Sequence, residues 1–441
     1  MNSSEIQKYQ QALVERLKKA NIFKTPLIEE AFMKVPRHLF LPEEPLDKVY
    51  SDVAIVMKRG AEGQWTSSSS QPAIMAIMLE QLDLKPGQRV LEIGTGTGFN
   101  AALIASIVGP SGNVVTVDIQ PDLVQYARER LDIAGYDRVQ TVVADGGYGY
   151  PEGAPFDRII LTVGSDVITP SWREQLAPGG ILVLPFAITG PQNSVAFEKR
   201  GEELISVDIK PCGFMPLQGT YAVTQPVRTQ IGPDPRLFLI SEPGRALPVG
   251  ADTIATWLSQ ESEDWATGVT VARSELEWGF APWMDLHESK ARQQTGLPAT
   301  LAAMGDLADQ NLIPSLAGVG GDWKAMYSAV MIEPDGMAAL MRPPGQIAPL
   351  VDISHPEDNT PFELYVRNLG PGKNAGQRLL DYVQNWDQAG KPNSSRWHIR
   401  AIPAESEYHP TDGEFVVNKP WTKLIISYKG TQSDMQSENQ I

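Results

Sequence analysis

Residues 90–102, VLEIGTGTGFNAA, constrain the fold more than any other stretch of this chain. An apolar run of strand character ends in a turn with glycine at every second position, and a helix-forming run follows at once. Without side chains, such a turn lets a ligand come up against the backbone. A dinucleotide-binding turn would space its glycines as G-x-G-x-x-G. Here the third falls one position early, at Gly94, Gly96 and Gly98, with Phe99 where the last glycine would stand. That departure argues against NAD and FAD.

The surroundings of the turn are an α/β pattern. VLEI, VVTV, VQTVV, RIILTV and ILVLP are strand candidates, and helices are predicted over 99–108 and 121–134, where Leu123, Val124, Ala127, Leu131 and Ala134 share one face. Pro121 suits the first turn of its helix and Gly135 the end. Strands alternating with helices imply a mostly parallel, doubly wound sheet with right-handed crossovers. The spacing Glu92, Gly94, Gly96, Gly98, with Thr95 between, is the E/D-x-G-x-G-x-G signature of S-adenosyl-L-methionine-dependent methyltransferases. Twenty residues after Gly98 the next strand ends in Asp118 and Ile119, where a carboxylate can accept from both ribose hydroxyls. The third strand ends in Ala144, Asp145 and Gly146, and Asp145 could accept from the adenine amino group. Any one of these acids could be a solvated strand end. Three at the carboxyl ends of successive parallel strands mark one ligand site.

At 441 residues the chain is too long for one ordinary core, and its 42% apolar and 20% charged residues are those of a globular protein. Helices over 5–19 and 27–33 precede the α/β region, and SVAFEK and ELISVDIK read as an antiparallel pair appended to its sheet. The expected division is a Rossmann-like domain over 1–224, closing near Leu217, and a second, α+β domain over 225–430. Beyond Thr224 no βαβ rhythm continues, and eight of the ten tryptophans lie between Trp257 and Trp421. QIGPDP, residues 230–235, is either a linker or a tight turn. The polar tail 431–441 is expected to be disordered.

A formal net charge of −16 opposes binding to nucleic acid, and no basic run offsets it. The single cysteine, Cys212, excludes an intrachain disulfide and reads as a core strand residue. No run is long and apolar enough for a membrane span and no leader pattern opens the chain, so the cytoplasm is the expected location. The five histidines lack metal-ligand spacing, so no zinc is assigned. His38 is expected to be structural, and the later tryptophans to fill core and surface.

Beyond the glycine turn, seven segments carry a closer resemblance: VPRHLFLPE (35–43), VYSDVAI (49–55), the SSSQP ending at Pro72, LKPGQRVLEIGTGTGFNAA (84–102), APFDRIILT (154–162), QLAPGGILVLP (175–185) and PCGFMPLQG (211–219). From about residue 10 to 219 the chain resembles the protein-L-isoaspartate O-methyltransferases, with PRHLF and FMPLQG the specific parts. The resemblance implies a carboxyl O-methyltransferase acting on isoaspartyl or aspartyl groups of proteins or peptides. It also implies that Ser68, Ser69 and Ser70 stand where the family holds its substrate carboxylate, Ser70 in the place of the family's serine. Two departures accompany this: the stretch from Gly63 to Ser70 is one residue longer, and Ser69 replaces a hydrophobic residue. Ser70, ahead of Gln71 and Pro72, is equally a good N-cap for the helix through Ile74, Ile77 and Met78. The long extension is similar to that of members associated with ribosomal peptide biosynthesis, which offers a modified precursor as an alternative substrate. A non-catalytic adaptor that only binds the cofactor is the remaining alternative.

Overall fold

The computed structural model describes residues 3–60, 65–290, 296–310, 313, 314, 316–319, 324–346, 348, 350, 351 and 360–428. The tail 431–441 lies outside these residues. The chain forms two compact units, Met1–Val223 with Trp397–Ile441, and Thr224–Arg396. No helix among the described residues is long and apolar enough to cross a membrane.

The first unit opens with α1 (Ser3–Lys19), α2 (Pro26–Lys34) and α3 (Leu46–Val49), followed by the hairpin β1 (Ile55–Arg59) and β2 (Trp65–Ser69). The chain continues through α4 (Pro72–Leu82), β3 (Arg89–Ile93), α5 (Phe99–Val108), β4 (Asn113–Asp118), α6 (Pro121–Ile133) and β5 (Gln140–Val143). β6 (Phe156–Leu161), α7 (Pro170–Gln175), β7 (Leu176–Phe186), β8 (Asn193–Arg200) and β9 (Glu203–Pro211) follow. β5, β4, β3, β6 and β7 lie side by side and parallel, and β8 and β9 continue the sheet antiparallel. Strands covered on both faces need apolar side chains on both, and Val90, Leu91, Ile93, Val115, Val117, Ile159 and Ile160 are all buried. α1 and α2 pack into the same core as α4 and α5 through Leu13, Leu17, Ile28 and Phe32.

The second unit consists of β10 (Val227–Gln230), β11 (Leu237–Ser241), α8 (Ala251–Leu258), β12 (Glu263–Val271), α9 (Arg273–Glu275) and α10 (Ala281–Lys290). These are followed by β13 (Leu297–Met304), β14 (Ala317–Val319), β15 (Ala325–Glu333), β16 (Gly336–Met341), β17 (Leu350–Val351), β18 (Phe362–Leu369) and α11 (Asn374–Gln388). Its sheet runs β10-β11-β13-β15-β16-β18-β12, antiparallel along that path, so the unit is α+β. α11 buries Leu379, Val383 and Trp386, one face at helical spacing. QIGPDP is a turn and not a linker: it joins β10 to β11, with the buried Ile231 donating its N–H to the Leu237 carbonyl at 2.9 Å.

The chain then returns, which the expected division at 224 does not include. β19 (Trp397–Pro403), β20 (Phe415–Lys419) and β21 (Thr422–Tyr428) belong to the first unit and not to a domain running to residue 430. β19 pairs antiparallel with β9, setting Arg400 opposite Ile205 and Ala401 opposite Leu204, and carries β21 and β20 with it. The sheet thereby reaches ten strands, in the order β20-β21-β19-β9-β8-β7-β6-β3-β4-β5. The physical reason is the open edge of β9, whose unpaired backbone groups need a neighbour. The addition is a core one, since Ile399, Ala401, Leu424 and Ile426 are fully buried. Arg173 donates to the Ala401 carbonyl at 3.0 Å, and Arg400 pairs with Glu203 at 2.8 Å.

Candidate active site

β3 hands the chain directly to the glycine turn. Gly94, Gly96 and Gly98 all have positive φ, the region that L side chains avoid. At Gly94, with φ 102°, a Cβ would also stand 2.6 Å from Thr162 Oγ1 at the end of β6. The turn is held from inside by Glu92, which is fully buried and accepts from Thr116 Oγ1 at 2.6 Å and Asn100 Nδ2 at 2.8 Å. Burial pushes its carboxyl up to about 7 against the pull of those two donors. Thr95 is buried, its hydroxyl 2.9 Å from that of Thr116. Glu92 and Thr95 are therefore braces behind the turn.

Asp118 stands at the end of β4. Burial raises its pKa, and the backbone N–H groups of Gln120, Gly96, Thr95 and Ile119 oppose the rise. Gln120 N–H donates to Oδ1 at 3.0 Å and Gly96 N–H approaches Oδ2 at 3.4 Å, which ties the carboxylate to the glycine turn. Asp145, just past β5, accepts from Gly147 N–H at 2.9 Å with one oxygen and from Thr220 N–H at 2.8 Å with the other. Gly146 is fixed by Trp172, whose indole N–H donates to its carbonyl at 2.8 Å. The structure thus brings the three strand-end positions into adjacent loops on one edge of the parallel sheet.

FMPLQG closes over this edge. Gly164 and Leu217 exchange backbone bonds with their neighbours there, Gly164 N–H to Met215 O and Leu217 N–H to Gly164 O, both at 2.7 Å. Gly219, with φ 94°, lies so near Asp145 that a Cβ would meet Oδ2 at 2.5 Å. Of this segment, the contact with Asp145 explains the glycine at 219. Cys212 lies one residue beyond β9, half-buried and outside the strand it was expected to occupy.

On the other side, the β1–β2 hairpin brings in the serines. The Ser68 carbonyl lies 3.5 Å from where a Cβ on Gly96 would stand, and Gln120 reaches the Thr66 carbonyl at 3.4 Å. The ladder slips twice, with Met57 extra on β1 and Thr66 extra on β2, so the two irregularities cancel and the register is the same at Arg59 as at Ile55. Ser69 is buried, its hydroxyl 3.5 Å from Arg37 Nη2, whereas Ser68 and Ser70 are half-buried. Among the described residues the Ser70 hydroxyl has no hydrogen-bond partner.

Two residues here were not singled out from sequence. Arg37, inside PRHLF, is buried and donates to the carbonyls of Ser51, Val53 and Ser70 at 3.3, 3.4 and 3.1 Å. Burial pulls its pKa down to about 10. Asp52 supplies the cap that Ser70 could have given: its carboxylate accepts from Ala73 N–H at 2.8 Å and Gln71 Nε2 at 3.1 Å, while Gln71 is the N-cap of α4. His38 is structural, its Nδ1 2.8 Å from the Tyr50 hydroxyl and its pKa lowered by burial.

With this geometry in place, likeness to known proteins has a site to attach to. Residues 7–222 match the family Protein-L-isoaspartate(D-aspartate) O-methyltransferase. Over 216 residues the chain is 41% identical to the protein-L-isoaspartate O-methyltransferase of Methanopyrus kandleri, covering 48% of this chain and 93% of that one. The chain belongs to the protein-L-isoaspartate O-methyltransferase family. The corresponding protein of Hyperthermus butylicus is 39% identical over 218 residues, 47% of this chain and 88% of its own. A solved protein-L-isoaspartate O-methyltransferase structure covers 89% of this chain and 96% of its own, at 23% identity and a TM-score of 0.47. As a protein-L-isoaspartate O-methyltransferase family member, the chain is an S-adenosyl-L-methionine-dependent methyltransferase. The family match stops at residue 222, so the second unit and β19–β21 lie outside it.

Proposed function

We propose that this methyltransferase esterifies isoaspartyl or aspartyl carboxylates of proteins or peptides at the loop edge of β3, β4 and β5. The observation that carries the reading is the meeting of the glycine turn, two strand-end carboxylates and the serine hairpin on one edge. In this reading Gly94, Gly96 and Gly98 admit the cofactor's amino-acid end, Asp118 with Ile119 takes its ribose, and Asp145 with Gly146 its adenine. When bound, S-adenosyl-L-methionine supplies a methyl group on a sulfonium, which leaves as a neutral thioether. The acceptor carboxylate is already ionised at neutral pH, so the chain need not remove a proton. Its work is alignment and exclusion of water. Ser70, with its hydroxyl unengaged, is placed to orient the acceptor, while Arg37 holds the backbone of that strand. The intact turn and both acids speak against a binding-only adaptor. The cytoplasmic location read from the sequence is part of this proposal.

Calorimetry with S-adenosyl-L-methionine and its demethylated product, beside a rate assay on a short isoaspartyl peptide, tests it. Asp118→Ala should weaken both cofactor forms by about 1–3 kcal/mol, since a half-buried charged acceptor is lost. Ser70→Ala should slow methyl transfer and leave cofactor affinity nearly unchanged. A wild-type chain that binds neither form would overturn the reading, and an unaffected Asp118→Ala would remove that residue's role. A precursor peptide methylated far faster than the short peptide would narrow the substrate to ribosomal peptide biosynthesis.

A further inference from the structure

The family match ends before β20 and β21, yet the turn between those strands reaches the edge where the site lies. Lys419 and Thr422 face each other in the ladder, leaving Pro420 and Trp421 as a two-residue turn. Both flanks are tied down. Lys419 Nζ donates to the Ala187 carbonyl at 3.0 Å, directly after β7, and the buried Thr422 hydroxyl donates to the Ile168 carbonyl at 3.0 Å, in the loop after β6. These are carboxyl ends of parallel strands, the edge that carries Gly94, Asp118 and Asp145. Trp421 itself is 40% exposed, unlike the buried Trp172, Trp386 and Trp397.

The Trp421 ring meets Tyr221 edge to face, with centroids 4.8 Å apart, and Tyr221 meets Tyr148 in the same way at 5.3 Å. Tyr221 in turn sits where a Cβ on Gly147 would stand. The residue before it, Thr220, gives Asp145 one backbone N–H, and Gly147 gives the other. The aromatic chain therefore braces both donors that fix the Asp145 carboxylate. Edge-to-face ring pairs are favourable beyond the area they bury, so each ring resists displacement of the next.

We propose that Trp421 is a positioning residue for the cofactor site, acting through Tyr221 and Thr220 on Asp145. The proposal rests on the reading that Asp145 receives the adenine end. It assigns the returning C-terminal hairpin a part in cofactor binding that residues 7–222 do not supply.

The test compares full-length Trp421→Ala and Trp421→Phe with the wild type. The readouts are thermal melts, calorimetry with S-adenosyl-L-homocysteine, and separate kcat and KM values for S-adenosyl-L-methionine and an isoaspartyl peptide. In a folded Trp421→Ala, Kd for S-adenosyl-L-homocysteine and KM for the cofactor should rise about tenfold. The kcat at saturating cofactor and the KM for peptide should hold. Trp421→Phe, which keeps an aromatic edge, should stay within about twofold of wild type. Asp145→Ala combined with Trp421→Ala should bind no more weakly than Asp145→Ala alone, because the two act through one contact. If Trp421→Ala does not fold, Trp421→Leu, which keeps apolar volume without a ring, should show the same rise. An unchanged Kd in either folded variant overturns the proposal, as does a rise confined to the peptide KM. A wild-type chain with no affinity for either cofactor form refutes the site reading itself, a separate failure that is visible before any variant is made.

Discussion

The ten-stranded sheet has two halves of different origin. In the parallel half, β5-β4-β3-β6-β7, the strands β3, β4 and β5 follow one another through short helical crossovers, and each of these three delivers its site residue within two residues of its own end. In the antiparallel half, β19 comes to β9 from 197 residues away, since Ala401 lies opposite Leu204. The first half shows how a ligand edge is made by local chain geometry. The second shows how that sheet's far edge is closed by a segment with no local mark of its destination.

The largest effect that separates the halves is expected from ending the chain after Val223. Ile399, Leu424 and Ile426 are fully buried, and each such side chain contributes about 1.5–3 kcal/mol. Their loss, with an unpaired β9 edge, is comparable to the whole stability of an ordinary domain, about 5–15 kcal/mol. The truncated chain is expected to be insoluble, or to melt far below the full-length protein, although every proposed cofactor residue except the Trp421 brace is present. A soluble truncation with the full-length melting temperature and unimpaired affinity for S-adenosyl-L-methionine would break the comparison, making β19–β21 an ornament.

A smaller effect comes from acids treated differently in the two halves. Glu203 of β9 is paired with Arg400 and part-exposed, a type of pair that contributes little. Glu92 of β3 is fully buried, and its carboxyl is pushed from 4.5 up to about 7. Between those values the folded chain keeps a proton that the unfolded chain gives up. Stability attributable to Glu92 therefore falls as pH rises from about 4.5 to 7, by on the order of 2 kcal/mol. Glu92→Gln cannot titrate. Relative to that variant, the wild type should lose stability between pH 5 and pH 7.5 in denaturant titrations. A difference between the two proteins that does not vary with pH would show that Glu92 is ionised throughout.

What the sequence made legible follows the same boundary. The glycine spacing, Asp118 and Asp145 were readable because a parallel strand, its turn and its helix are contiguous, so periodicity and turn chemistry report them together. β19–β21 look from sequence like more of the second unit: WHIRAIP and TKLIISY are good strands, but a strand's sequence does not name its partner. Arg37 was hidden because an arginine is ordinarily read as surface, and its burial is made tolerable by the carbonyls of Ser51, Val53 and Ser70, by the Ser69 hydroxyl and by the charge of Asp52. Asp52 was missed for a related reason, since a cap is sought next to the helix it caps.

That last case gives the smallest expected effect and sharpens the account of the serine hairpin. Gln71 is the N-cap of α4 but makes no side-chain cap bond; Asp52, 21 residues before Ala73, accepts that N–H at 2.8 Å. Asp52→Ala should cost about 1 kcal/mol of stability, the usual effect of losing a helix cap. It should leave affinity for S-adenosyl-L-methionine unchanged, because no cofactor residue depends on that carboxylate. Ser70→Ala should do the opposite, with the melting temperature held and the methyl-transfer rate reduced, because its hydroxyl supports no backbone group. Thermal melts and rates for the two variants, measured side by side, separate helix support from acceptor orientation at adjoining positions. If Ser70→Ala lost the stability and Asp52→Ala lost none, the cap would belong to the serine after all, and the hairpin would no longer hold a free hydroxyl for the acceptor.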